Sequence, residues 1–364
     1  MKPAYLRYIL ILQGLIMLVA VMWWLGAILV PFAFAGVLAV LLNPMNEWLL
    51  RRRVPRLVAI SVTVLIALVV VVGLLYFLVL QVADFADEIP TLQKRLNEYL
   101  AQSQNFFRKE LHVSSRKQME YVNKGLDKAL ADGGGIAVSI LGALSDMAVN
   151  LTLIPVYVFL ILLYKPTLVL FLRQIFAETG DKKVGEILTE VKSVIQSYIS
   201  GLLIEAAIVS AMNVVGLMLL GIPYALLMGV IGGLLNMIPY IGGIIAIALP
   251  MLIALITMQD GLTSALLVVL AYSIIQFLDN NLIQPKIVAS KVRINALFTI
   301  LVVLAGNMLW GVGGMFLSIP ILAVLKIVFD RVEDLKPWGM LFGDQIPGVD
   351  EKPSMNEKRK TIAD

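Results

Sequence analysis

The sequence predicts an all-α polytopic membrane protein, built of N-terminal scaffold helices, an extracytoplasmic helical insert and a C-terminal inverted repeat with two re-entrant or broken helical hairpins. Three observations predict it. Apolar residues make up 60% of the chain and charged residues only 15%, a balance outside the range of ordinary soluble domains. The apolar residues gather in runs of about 20, the length at which a helix crosses the hydrocarbon core. One eight-residue pattern within those runs occurs twice: Asn236-Met237-Ile238-Pro239-Tyr240-Ile241-Gly242-Gly243 and Asn307-Met308-Leu309-Trp310-Gly311-Val312-Gly313-Gly314, each followed by a proline, Pro250 or Pro320.

Residues 1–81 hold three spanning helices. Tyr8–Ile28 is the first, too long for the apolar part of a cleavable signal and therefore expected to stay as an anchor. Pro31–Leu50 follows after almost no loop, and Leu57–Leu80 is the third. Lys2, Arg7, Arg51, Arg52, Arg53 and Arg56 flank these runs, and basic residues in short loops stay in the cytoplasm. Residues 82–135 then fall outside. This polar insert is charge-balanced, and Ile89, Leu92, Leu96, Tyr99 and Leu100 recur at helical spacing. Residues 136–164 return as a transmembrane helix. Residues 165–197 are cytoplasmic or interfacial, where Val184, Ile187, Leu188, Val191, Val194 and Ile195 form an amphipathic stripe suited to the membrane interface. Residues 198–330 form the transport half, and 331–364 a cytoplasmic tail, largely disordered by its Lys, Glu, Pro and Asn content. Both termini are then cytoplasmic.

The transport half carries the repeat. Tyr198–Leu220 spans outward and Gly221-Ile222-Pro223 breaks the chain. Tyr224–Ile238 and Ile244–Thr257 flank the first tip, and at 1.5 Å per residue each arm reaches about 21–23 Å, short of the roughly 30 Å core. Gly261–Asn280 spans inward. Asn295–Met308 and Met315–Phe329 flank the second tip. Each unit is one helix plus one hairpin, in opposite orientations, and inverted repeats of broken helices place transporter sites near midplane. The two tips are expected to converge there.

Exposed backbone at such tips must be satisfied by protein or by water, because lipid offers no hydrogen bonds. Asn236 and Asn307 supply amides, and Pro239, Gly242, Gly243, Gly313 and Gly314 allow close backbone approach; tight helix packing by small residues is the competing reading of the glycines. Asp279, Asn280 and Gln284 end the inward helix, with Gln276 one turn earlier. Glu205 lies about 10 Å into an apolar helix, with Asn213 two turns further along near the same face. An intramembrane carboxyl group is costly and marks a functional candidate; Glu205 either faces a wet cavity or titrates. These thirteen residues are the substrate- or ion-binding candidates.

The sequence has no cysteine and one histidine, His112. That argues against disulfides, a Cys or His metal site and a Ser-His triad. No Walker-type phosphate loop appears, so ATP is not expected to drive the protein directly. No catalytic residue, metal, organic cofactor or nucleic-acid partner is expected. A proton or sodium ion is the expected coupling ion, and the lipid bilayer and a small solute or cation are the expected partners.

The Ile238–Gly243 tip, the run from Asp279-Asn280 to Gln284-Pro285 and the segment Gly311–Pro320 together resemble the autoinducer-2 exporter-like permease family. The resemblance covers most of the chain. It implies a secondary transporter of the bacterial inner membrane and a homo-oligomer, a pentamer. It further implies export of a small polar solute such as an autoinducer-2-like signal, or sodium/proton antiport. An elevator-like shift of the C-terminal half against the N-terminal scaffold is the expected movement, with a passive channel or facilitator as the alternative.

Overall fold

The computed structural model describes residues 4–110, 152–175, 181–238, 242–288 and 294–344. Every regular element among them is helical. Among the described residues, six helical stretches are long and apolar enough to cross a membrane, counting Ala296–Arg331 over its full length. Large side chains such as Val70, Phe171 and Leu266 are exposed along them, as lipid-facing residues are. The chain is a multi-pass membrane protein. The remainder of the insert with His112, the tip residues Pro239–Ile241 and most of the C-terminal tail lie outside the described residues, and with them the expected meeting of the two tips.

The chain forms two compact units, each assembled from separate stretches. One comprises Trp24–Pro166 and Ile199–Val288. It contains α2 (Gly26–Arg51), α3 (Arg56–Glu110) and most of α4 (Thr152–Ile175). Ala35 and Ala39 of α2, Ile60 of α3, and Val158 and Leu162 of α4 form a buried cluster. The polar end of this layer has a clear cause. Pro166 has no N–H to give the Leu162 carbonyl one turn back. Arg56 fills that role, donating from Nη2 to Leu162 O at 3.3 Å and also to Leu163 O. Alongside, Lys165 Nζ donates to Asn43 Oδ1 at 2.7 Å and Glu47 Oε1 at 3.0 Å, and Asn43 Nδ2 donates to Glu47 Oε1 at 2.7 Å. Replacing Arg56 by Gln is expected to lower stability by about 1.5 kcal/mol, the low end for hydrogen bonds to a charged group, since the side chain is exposed. Thermal denaturation of the purified variant measures it.

The same unit holds the second half of α5 (Asp181–Leu219), then α6 (Ala225–Asn236), α7 (Gly242–Thr257), α8 (Gly261–Leu278), a π-helical turn (Asp279–Ile283) and α9 (Gln284–Ile287). The break expected at Gly221–Pro223 is present. Gly221 adopts φ 67°, Ile222 N–H bonds to Leu217 O and Gly221 N–H to Met218 O, both at 3.0 Å. This is a Schellman termination, which needs a left-handed residue at that position. α6 then packs against α5 through glycines four apart. A Cβ on Gly229 would lie 2.5 Å from Val214 N, and one on Gly233 would lie 2.6 Å from Ser210 N and 2.7 Å from Ala206 O. Such spacing lets membrane helices approach to backbone contact. α6 and α7, of 12 and 16 residues, reach about 18 and 24 Å.

The other unit comprises Met1–Trp23, Thr167–Tyr198 and Ala289–Asp364. Its centre is α10 (Ala296–Arg331), which is broken at Trp310 (φ −138°, ψ 20°) and Gly311 (φ 61°, ψ −144°). The break turns the chain back on itself: a Cβ on Gly314 would lie 2.0 Å from Gly306 O, and one on Gly306 would lie 2.5 Å from Gly314 O. A straight helix separates residues eight apart by about 12 Å, so α10 is a helical hairpin. Trp310 Nε1 donates to Met22 O of α1 (Ala4–Trp24) at 2.9 Å. At the base, α11 (Lys336–Phe342) clips the two arms together. Asn295 N–H and Nδ2 donate to Phe342 O and Leu341 O at 3.0 and 2.8 Å, and the Phe342 ring meets Phe298 of one arm and Phe329 of the other. Arg331 bonds Glu190 at 2.6 Å and Glu186 at 3.2 Å, tying α10 to the amphipathic part of α5.

Several bounds differ from those expected. α3 runs unbroken for 55 residues, about 83 Å, so the start of the polar insert extends the spanning helix. α5 runs unbroken for 39 residues, joining the amphipathic stripe to the span at Tyr198. Only Leu25 separates α1 from α2, and Pro31 lies inside α2. The compact units also interleave along the chain instead of following an N-terminal and a C-terminal half, because packing groups helices without regard to their order.

Candidate functional site

Of the polar candidates in the unit containing α5–α9, Glu205, Asn236 and Asp279 come together at the end of α6. Glu205 on α5 is 3% exposed and Asp279, at the start of the π turn, is 1% exposed. Their carboxyl groups are close enough to interact directly. Asn236, the last residue of α6, donates from Nδ2 to Asp279 Oδ2 at 2.8 Å. The end of the first short arm is thus tied by its amide to a buried carboxyl pair. Beside it α7 begins at Gly242, and a Cβ on Gly243 would lie 2.9 Å from Gln276 Oε1. Gln276 in turn donates to Asn280 Oδ1 at 3.1 Å.

Local sequence explains why Asp279 faces inward. Pro285 has no N–H for the Asn281 carbonyl four residues back, so the α pattern cannot continue through it. Gln284 N–H bonds to Asp279 O, five residues back. Such π turns recur at functional sites, where the inserted residue re-aims its neighbours. Asn280 and Gln284 end up exposed, away from the carboxyl pair.

Asn213 forms a second polar level, eight residues or about 12 Å from Glu205 along α5. It is 2% exposed. A Cβ on Gly232 would lie 3.0 Å from Asn213 Nδ2 and 3.5 Å from Tyr272 Oη, so α5, α6 and α8 meet there around a glycine. Among the described residues, five buried side-chain oxygens lack a hydrogen-bond partner, and four belong here: Glu205 Oε2, Asp279 Oδ1, Asn213 Oδ1 and Tyr272 Oη. Orphaned buried polar atoms are rare in folded proteins and call for a reason. Tyr272 was not among the sequence candidates. Its signal was its place seven residues before Asp279, two turns along the same helical face.

The glycines divide by role. Gly242 is a packing residue, since a Cβ there would lie 1.9 Å from Leu235 O. Gly314 is another, pressed against Gly306. For these two the packing reading holds. Gly243 faces Gln276. The second-tip residues Asn307, Gly313 and Gly314 belong to the other compact unit, with Asn307 exposed and Gly313 half-buried. Pro239 lies outside the described residues.

Chemically, this region presents two carboxyl groups, the carboxamides of Asn236, Asn213 and Gln276 and a phenol, and neither carboxyl has a Lys or Arg partner among the described residues. That set accepts a cation or a proton and hydrogen-bonds neutral polar groups.

Comparison with known proteins identifies the family. The AI-2E family transporter profile matches residues 12–334. The chain is 25% identical over 343 residues to "AI-2 transport protein TqsA" of Escherichia coli K12, covering 93% of this chain and 96% of that one. It is 28% identical over 321 residues to "Putative transport protein YrrI" of Bacillus subtilis, covering 84% of this chain and 87% of that one. Escherichia coli K12 "Putative transport protein YhhT" is 24% identical over 343 residues, covering 94% and 95%. The family match covers most of the chain, and the chain belongs to the AI-2E family of transporters.

Proposed function

We propose that this protein is an ion-coupled secondary transporter of a small polar solute, with Glu205 and Asp279 as the coupling site. The observation that carries the reading is the Asn236–Asp279 hydrogen bond of 2.8 Å. It joins the end of a short hairpin arm to a buried carboxyl group, so occupancy of the pair and position of the hairpin are mechanically linked. A cation or proton arriving between the carboxyls changes what Asp279 offers Asn236. The ion then biases the hairpin between arrangements, as coupling through differential binding requires.

The solute class follows from the same inventory. Amides, a phenol and carboxyls suit a neutral hydroxylated molecule or a cation, and the name of TqsA points to an autoinducer-2-like signal as the first solute to try. Sodium/proton antiport is the second reading, favoured by a carboxyl pair that has no basic partner among the described residues. In this account α6–α7 and α10 are re-entrant hairpins of an inverted repeat, and the C-terminal half shifts elevator-like against the N-terminal helices. The protein sits in the bacterial inner membrane with both termini cytoplasmic, as a homo-oligomer.

The test is reconstitution into liposomes with imposed proton or sodium gradients. Gradient-driven accumulation of solute is expected for transport, and sodium-dependent lumenal pH change without added solute for antiport. Flux that only ever equilibrates the solute, whatever the ion gradient, would establish a passive facilitator and overturn the coupling.

A further inference from the structure

The loop between α2 and α3 is unusual in what it places at a strained position. α2 ends as a Schellman turn: Val54 N–H bonds to Leu49 O at 3.2 Å and Arg53 N–H to Leu50 O at 3.0 Å. The left-handed residue of that turn is Arg53, at φ 62°. Glycine is the ordinary occupant, because an L side chain there crowds its own backbone. An arginine held in such a conformation marks a use for its side chain.

Its neighbours share that use. Arg51, Arg52 and Arg53 are consecutive and exposed, and none has a carboxylate partner among the described residues. The nearby acid, Glu47, is engaged by Lys165 and Asn43, and Arg56 is turned to backbone carbonyls. Arg52 stacks over the ring of Trp48 at 4.8 Å, and Trp48 is itself 54% exposed at the end of a spanning helix. Exposed tryptophans of spanning helices sit at headgroup depth. The stack therefore fixes the level of the guanidinium.

We propose that Arg51, Arg52 and Arg53 form a binding site for the phosphate of an anionic phospholipid. Arginine's planar fork matches phosphate oxygens in pairs. A protein partner would need to reach below the level of Trp48, into the headgroup layer, whereas a lipid phosphate already lies there. Three unpaired cations at that depth attract anionic lipid at about five-fold in affinity for each arginine, or roughly a hundred-fold for the three.

Native mass spectrometry of the full-length protein, released from mixed phosphatidylglycerol and phosphatidylcholine vesicles, tests this, together with the melting shift on adding each lipid to detergent-purified protein. Phosphatidylglycerol is expected to remain bound and to stabilise, and phosphatidylcholine to do neither. The triple variant R51Q/R52Q/R53Q should lose the preference by roughly a hundred-fold, while R51K/R52K/R53K, which keeps the charge, should hold it within about ten-fold. Unchanged preference in the Gln variant overturns the proposal, as does equal loss in the Lys variant. Stabilisation by inorganic phosphate at the same concentration as the lipid overturns it too, since the site would then take free anion.

Discussion

Replacing Glu205 by Gln is expected to abolish ion-driven transport in reconstituted liposomes while the purified protein remains folded. Gln keeps the shape of the side chain, so the packing of α5 against its neighbours is preserved. What it removes is one of two carboxyl groups that are 3% and 1% exposed and in direct interaction. Gln can neither take up a proton nor neutralise a cation, so ion-driven flux should fall to the level of passive leak. Asp279→Asn should match it. Asn236→Leu, which deletes only the 2.8 Å hydrogen bond to Asp279, should fall by about ten-fold, the usual worth of a hydrogen bond to a charged group. That ordering matters more than any one value. A purely structural carboxyl pair would lower melting temperature and flux together; a coupling site lowers flux and leaves the melting temperature near its original value. Wild-type coupling ratios in Glu205→Gln would return the pair to a structural role.

Much of this was legible in the sequence, and the reasons it was or was not are local. Gly221-Ile222-Pro223 announced a helix stop, because a left-handed position and a missing N–H act on backbone whatever surrounds them. The second tip was readable for the same reason: Gly311 breaks α10 within the repeated pattern. Glu205 stood out because an unpaired carboxyl in an apolar run has few bland explanations. Continuity was harder to see. α3 continues from apolar into polar sequence, through Pro90, since a helix needs no change of backbone to leave the bilayer. The polar run Asp279–Gln284 was read as one site, yet only Asp279 faces the carboxyl pair. The π turn shifts the register that side-chain periodicity assumes, and its cause, a proline two residues past the turn, shows only in the hydrogen bonds. Tyr272 was hidden among apolar residues because a phenol in a membrane helix ordinarily reads as an interfacial anchor.

Gly311→Ala is expected to unmake the α10 hairpin, and the contrast with other glycines identifies why. No atom lies within 4 Å of a Cβ built on Gly311, so space is not the difficulty. Its backbone is. At φ 61° and ψ −144° it borders a region that essentially only glycine occupies, and holding another residue there costs of order 1–3 kcal/mol. Asn, which tolerates the left-handed helical region near ψ +47°, is therefore not expected to rescue; Gly311→Asn should behave as Gly311→Ala. Gly314→Ala should be at least as damaging by a different route, since its Cβ would lie 2.0 Å from the Gly306 carbonyl oxygen and backbone cannot swing aside as a side chain can. Gly14→Ala is the control. It sits within helical α1 with nothing near its Cβ, where alanine in place of glycine should be neutral or stabilise by about 0.5–1 kcal/mol. The measurement is the melting temperature of each purified variant alongside its transport rate. Losses at Gly311 and Gly314, with none at Gly14, are expected. A Gly311→Asn variant as stable as the wild type would show that the turn tolerates an ordinary left-handed residue, and the requirement for glycine at this tip would then have to come from a ligand or a neighbouring helix in place of the backbone.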